Sequence, residues 1–233
     1  MSDGTYAVIP VKPFVSAKRR LTPLLSCIER IRLARLMLED VIDAVRSAAS
    51  LAGFFVVSCH EDAAALAEAA GGRAIREDAE FGLAQAVATA FREIAPIAGG
   101  AVVIPSDIPH LPGATIDAVV AKTAKGGVTL VPAIYDGGTN LLALRPCTAL
   151  EPLFGPGSFQ RHHRAALRAG LSPRIHVCPR AGHDLDRPRD LVTFLTMESK
   201  TRTHDYLAGL DIYERLEALN GEPSAASPAP VSA

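Results

Sequence analysis

Short, wholly apolar runs bounded by breakers alternate along this chain with longer stretches whose apolar residues recur every three or four positions. The runs YAVIP (6–10), GFFVVS (53–58), AVVIPS (101–106) and VTLVPA (128–133) are rich in Val, Ile and Phe. Unbroken apolarity of this length marks strands covered on both faces. Between them, residues 26–49 place Ile28, Ile31, Leu33, Leu36, Val41 and Val45 at helical spacing. The Ala-rich segments 61–70 and 82–95, and residues 113–123, also read as helices. Strand and helix in turn predict an α/β three-layer sandwich with a mostly parallel central sheet and right-handed connections.

The pattern changes after residue 133. YDGGTN (135–140) reads as a turn with two glycines, followed by the apolar strand LLALRP (141–146). FGPGSFQRHHRAALRAG (154–170) reads as a Gly/Pro loop and then a helix, with Ser158 at its N-cap. RIHVCP (174–179) is the last expected strand, and DLDRPRDLVTFL (184–195) leaves it through two carboxylates into a helix near Pro188. Residues 203–219 carry Tyr206, Leu207, Leu210, Tyr213, Leu216 and Leu219 at roughly helical spacing. They predict one amphipathic helix that packs on the domain or on a second subunit. NGEPSAASPAPVSA, residues 220–233, has the composition of a disordered tail. The expected organisation is thus one domain over 1–200, a C-terminal helix over 201–219 and a tail over 220–233.

Composition narrows the function without choosing it. Apolar residues make up 48% and charged residues 21%, the balance of a soluble globular protein. A formal charge of −1 gives no general attraction to nucleic acid or to an anionic membrane, so any anion site must be local. Cys27, Cys59, Cys147 and Cys178 are scattered, with no C-x-x-C. They are expected as buried thiols in a reducing compartment. No apolar run approaches the roughly 18 residues of a membrane span, and no signal peptide is recognisable, so the cytoplasm is the default expectation.

Three pieces carry candidate chemistry. The loop PVKPFVSAKRRL (10–21) leaves the first strand with Lys12, Lys18, Arg19 and Arg20. It is neither a Walker A nor a G-x-G-x-x-G turn. It suits a polyphosphate, or else it is a solvated basic loop. In VIPSDIPHL (102–110) a buried strand stops on Asp107. That carboxylate either caps a turn or sits at the carboxyl end of a central strand, where open α/β sheets bind ligands. Asp184 and Asp186 follow another expected strand. Mg²⁺ takes carboxylate oxygens together with water and substrate phosphates, so one Asp from each of two strand ends would make a natural site. The alternative for Asp186 is capping of the helix at Pro188.

The glycines of DGGTN and GPGSF would let backbone amides approach a ligand closely, or serve as plain turns. His162 and His163 are adjacent and cannot share one helical face. They read as a surface pair beside Arg161 and Arg164 rather than a zinc site. No G-x-S-x-G elbow or Ser-His-Asp order supports a hydrolase.

Taken together, VIPVKPFVSAKRRL, PSDIPHL, DGGTNLLALRP, GPGSFQRH and DLDRPRDL resemble the 2-phospho-L-lactate guanylyltransferase family, in order, over about residues 5–197. The resemblance implies a nucleotidyltransferase-like (GT-A-like) fold. It implies transfer of GMP from GTP to the phosphate of 2-phospho-L-lactate, phosphoenolpyruvate or 3-phosphoglycerate, with release of pyrophosphate, in deazaflavin coenzyme biosynthesis. It implies nucleotide contacts at Pro10, Lys12, Lys18, Arg19, Gly82 and Gln85, with Lys12, Lys18 and Asp107 catalytic. It implies acceptor contacts at Thr139, Gly157 and Ser158, and Mg²⁺ on Asp107 with Asp184 or Asp186. Partners are then GTP and a small phosphorylated acid, with no nucleic acid or membrane, and a homodimer is an open alternative to the monomer.

Two segments depart from the family pattern: FGLAQA has Ala84 and then Gln85 where G-L-N is common, and DLDRP has Arg187 where Thr is usual. The rival readings are a molybdopterin or sugar-phosphate nucleotidyltransferase, and a non-catalytic nucleotide-binding protein.

Overall fold

The computed structural model describes residues 4–220. From residue 221 on, the expected tail lies outside the described residues. Seven strands form one sheet: β1 (Thr5–Pro10), β2 (Leu51–Ser58), β3 (Arg73–Arg76), β4 (Gly100–Val103), β5 (Gly127–Pro132), β6 (Thr139–Arg145) and β7 (Arg174–Ile175). Their order is β3-β2-β1-β4-β6-β5-β7. Strands β3, β2, β1 and β4 run parallel, β6 is antiparallel to both its neighbours, and β5 and β7 are parallel to each other. The helices are α1 (Cys27–Ser47), α2 (Glu61–Ala69), α3 (Leu83–Ile94), α4 (Gly113–Lys122), α5 (Ser158–Arg168), α6 (Pro179–Gly182), α7 (Pro188–Thr196), α8 (Arg202–Ala208) and α9 (Ile212–Asn220).

Strand alternation builds two cores. Ala7 and Ile9 of β1 face one side, where Leu38, Ala63, Ile116, Leu191 and Leu207 bring in α1, α2, α4, α7 and α8. Val8 faces the other side, with Val87 and Phe91 of α3 and Ala166 of α5. Every residue of β4 and all but the last of β6 are buried, as a sheet covered on both faces requires. The three-layer sandwich expected from the sequence is therefore present. Helix α1 starts where the sequence places it because Ser26 and Glu29 form a capping box: the Ser26 Oγ accepts from the Glu29 backbone N–H, and the Glu29 carboxylate accepts from that of Ser26.

Several expectations are corrected. Strand β3 was not expected. Strand β7 keeps only two residues, because Ile175 and Val177 are exposed and give the rest of RIHVCP nothing to pack against. Asp184 follows helix α6 rather than a strand. The single helix expected over 203–219 is two, broken at Asp211, which adopts a left-handed φ of 50°. Both pack on this chain itself: α8 against α1 and α7, α9 against α7. Of the four free thiols only Cys147 is buried, and Cys27 is exposed. Among the described residues no helix is long and apolar enough to cross a membrane.

Candidate active site

The strand order reverses between β1 and β4, and the chain leaves both there at their carboxyl ends, the place where open α/β sheets bind ligands. After β1 the chain makes two tight turns, Phe14–Ser16 and Arg19–Leu21. Lys18 joins them in a left-handed conformation, φ 55°, uncommon for a residue with a side chain. That bend buries its side chain to 8% exposure and brings Nζ 2.7 Å from Asp107 Oδ2 and 3.9 Å from Asp186 Oδ1. Arg20 pairs with the other oxygen of Asp186. The Leu185 backbone N–H donates to the Asp107 carbonyl at 3.0 Å, locking the 184–186 segment against the loop after β4.

The electrostatics are those of one ammonium among several carboxylates. Burial alone would lower the pKa of Lys18, but Asp107, Asp186 and Asp184 outweigh it and hold Lys18 above its ordinary value. Asp184 moves the other way. Burial, then repulsion from Asp107, pushes its carboxyl up to about 6. A hydrogen bond from its own backbone N–H and the Lys18 ammonium offset this only in part. Among the described residues no three acidic, histidine or cysteine side chains form a ready cation cage. The donors are nonetheless all hard oxygens, three carboxylates around the one ammonium of Lys18, and this set fits a hard divalent cation.

Lys18, Arg20, Asp107 and Asp186, but not Asp184, border a cleft of about 910 Å³. It brings together most of the residues expected from the sequence. Pro10 ends β1 at its floor, Lys12 and Arg19 stand exposed on one wall, and Asp107 and Asp186 lie beside Lys18. Gly82, which caps α3 at φ 90°, a conformation that favours glycine, and Gln85, exposed in the first turn of that helix, line the cleft as well. Sequence reasoning missed Glu77, Glu80, Phe81 and Gly155, which also line the cleft. Glu77 follows the unexpected β3, so no strand signal pointed to it.

Thr139, Gly157 and Ser158 come together, but beside the cleft rather than on its wall. Gly157, exposed and left-handed at φ 65°, is the N-cap of α5, so Ser158 is the first helical residue and not the cap. Ser158 and Thr139 are buried. Ser158 Oγ accepts from the Thr139 backbone N–H at 2.9 Å. His162, expected on the surface, is fully buried beneath them. Its Nε2 accepts from the Leu153 N–H at 2.8 Å, which leaves the proton of a neutral ring on Nδ1, donated to Thr139 Oγ1 at 2.9 Å. Burial, then Arg161, lowers the His162 pKa to about 4. This network fastens the turn before β6 to the start of α5, and the Phe159 N–H donating to the Gly137 carbonyl adds a second tie.

A family model for CofC-like guanylyl transferases matches residues 5–220. The match passes residue 197, where the motif resemblance ends, and so includes α8 and α9. The chain is 36% identical over 209 residues to a 3-phospho-D-glycerate guanylyltransferase of Phenylobacterium zucineum, covering 88% of this chain and 95% of that one. It is 38% identical over 192 residues to a phosphoenolpyruvate guanylyltransferase of Rubrobacter xylanophilus, covering 81% and 92%. A solved nucleotidyl transferase from Methanothermobacter shares the fold at a TM-score of 0.60 and 17% identity, over 88% of this chain and 98% of that one.

Proposed function

Because this chain belongs to the CofC-like guanylyl transferase family and is a nucleotidyltransferase, we propose that it moves GMP from GTP onto the phosphate of a three-carbon phosphorylated acid. The observation that carries this reading is Lys18 held 2.7 Å from Asp107 at the sheet's switch point, inside a cleft of nucleotide size. In this assignment Lys12 and Arg19 hold the β- and γ-phosphates, and Pro10, Gly82 and Gln85 line the nucleoside. Lys18 lies between these phosphates and the carboxylates and holds Asp107 in orientation. Asp107, together with Asp184 or Asp186, would hold Mg²⁺; of the latter two only Asp186 lines the cleft, where it also pairs with Arg20. The ion, when bound, supplies charge neutralisation on the reacting phosphates.

An oxygen of the acceptor phosphate attacks the α-phosphorus of GTP, the bond from that phosphorus to the β-bridging oxygen breaks, and pyrophosphate leaves. The acceptor oxygen is already ionised, so the chain needs no nucleophile or general base, in keeping with the absence of any triad pattern. The chain's own contribution is alignment of the two phosphates and cationic charge where the leaving group develops its own. The acceptor is assigned to the cleft edge at Gly155, next to the 137–139 and 157–158 turns. Thr139 and Ser158 shape that edge from beneath, and the exposed Gly157 presents backbone.

The test is to mix the protein with GTP and Mg²⁺ and to offer 2-phospho-L-lactate, phosphoenolpyruvate and 3-phospho-D-glycerate in turn. Pyrophosphate release should require one of these acids. Release only with a sugar phosphate or a pterin would favour the rival transferases, and tight GTP binding without any release would favour a non-catalytic binder.

A further inference from the structure

The cleft also reaches the end of β3, where Glu77 and Glu80 line it. Glu77 leaves β3 with its backbone N–H still bonded to the Ser58 carbonyl at 3.1 Å, so it is fixed by the β2–β3 ladder. It lines the cleft half-buried. Its Oε1 is covered and has no hydrogen-bond partner among the described residues. The neighbouring cation gives no relief, because Arg76 is committed to Glu61 and Glu68 at 2.9 and 3.0 Å. Burial, then Glu80, raises the Glu77 pKa. A covered carboxylate oxygen without a donor is costly, and a turn of the Glu77 side chain into the cleft would bring that oxygen to a donor supplied by a ligand.

The position selects which part of the ligand. Strand β3 is two places from β1 in the sheet, roughly 10 Å at the usual strand spacing. A nucleotide whose phosphates lie on the loop after β1 therefore carries its base toward the end of β3. Guanine presents two adjacent donors on its Watson–Crick edge, N1–H and the N2 amino group, and a carboxylate accepts both. Adenine presents an unprotonated N1 at the same place, which a carboxylate repels.

We propose that Glu77 reads the nucleotide base, accepting from N1–H and the N2 amino group of guanine and so selecting GTP over ATP. This rests on the GTP reading above and deepens it. It also gives base choice a source in this chain despite the departure at Ala84 and Gln85.

The test is calorimetric titration of the full chain with GTP, ITP and ATP in Mg²⁺, with wild type, Glu77→Gln and Glu77→Ala, after melting curves confirm that each variant is folded. ITP keeps N1–H but lacks the 2-amino group. Wild type should bind GTP about tenfold or more tightly than ITP, and ATP more weakly still. Both variants should lose about 10- to 100-fold in GTP affinity, and their GTP/ITP ratio should fall toward one. A folded variant that keeps the wild-type GTP/ITP ratio overturns the assignment of Glu77 while leaving guanylyl transfer intact. A wild-type protein that does not prefer GTP over ATP overturns both.

Discussion

Lys18 Nζ and Asp107 Oδ2 meet at 2.7 Å across 89 residues of sequence, and the contact joins the loop after β1 to the loop after β4. Neither loop would specify the site alone. The first supplies cations and the second a carboxylate, and the sheet sets them side by side because β1 and β4 are neighbours. The left-handed backbone at Lys18 is a local cost retained where the side chain must point at Asp107.

Asp107→Asn should therefore cut turnover on the order of 10²- to 10³-fold, the scale for removing one preorganised electrostatic contact that serves a transition state. The fold should survive, because Asp186 and Asp184 remain beside Lys18. Steady-state kinetics together with a melting curve checks both halves.

Ser158→Ala removes the acceptor of the buried Thr139 N–H. It should cost about 1–2 kcal/mol of stability and raise the Michaelis constant for the phosphorylated acid, leaving that for GTP nearly unchanged. Initial rates varied against each substrate separate the two effects. A rise confined to GTP would show that the two ends of the site are assigned the wrong way round.

The neutral, buried His162 predicts a pH dependence. Its folded pKa, about 4, lies below the unfolded value of 6.5, so the unfolded state takes up the proton first. The stabilisation is full above pH 6.5 and declines as pH falls toward 4, with no further loss from this group below that. His162→Phe should flatten this part of the stability–pH curve in denaturant titrations, while lowering stability on the order of 2 kcal/mol because the Leu153 N–H and Thr139 hydroxyl lose their partner.

Arg215 of α9 donates to the Glu29 carboxylate at 2.9 Å and to the Leu24 carbonyl at 3.0 Å, clamping the start of α1 just beyond the cationic loop. The Arg215 hydrogen bond, helped by the Ser26 N–H, outweighs burial and holds Glu29 at about 2. A depressed carboxylate stabilises above its unfolded value of 4.5 and loses that contribution as pH falls through 2. Arg215→Ala should thus be about 1 kcal/mol less stable than wild type at pH 7, with the gap closing between pH 4.5 and 2. Paired unfolding curves across that range measure it.

The sequence made the sandwich legible because strands buried on both faces leave unbroken apolar runs, as in β1, β2 and β4, and because residues 26–49 repeat apolar positions at helical spacing, which is α1. It concealed β3, whose four residues include Arg73 and Arg76, both exposed. The antiparallel sense of β6 was also hidden, since a fully buried strand reads alike in either direction. The cationic loop and Asp107 could be placed from the ends of apolar runs. Burial of His162 could not, because adjacent helical positions differ only in which faces the sheet, and that depends on how α5 docks. Glu77 was invisible for the same kind of reason: a carboxylate is informative only once the strand before it is known.

Guanylyl transfer itself is tested most directly by following label from GTP in the presence of the three acids. With ³²P at the α-position, label should move to a new species containing guanosine and the acid joined through two phosphates. With ³²P at the γ-position it should leave as pyrophosphate, and both should depend on the acid and on Mg²⁺. Label from the γ-position appearing as inorganic phosphate, with none from the α-position joined to any acid, would contradict the account.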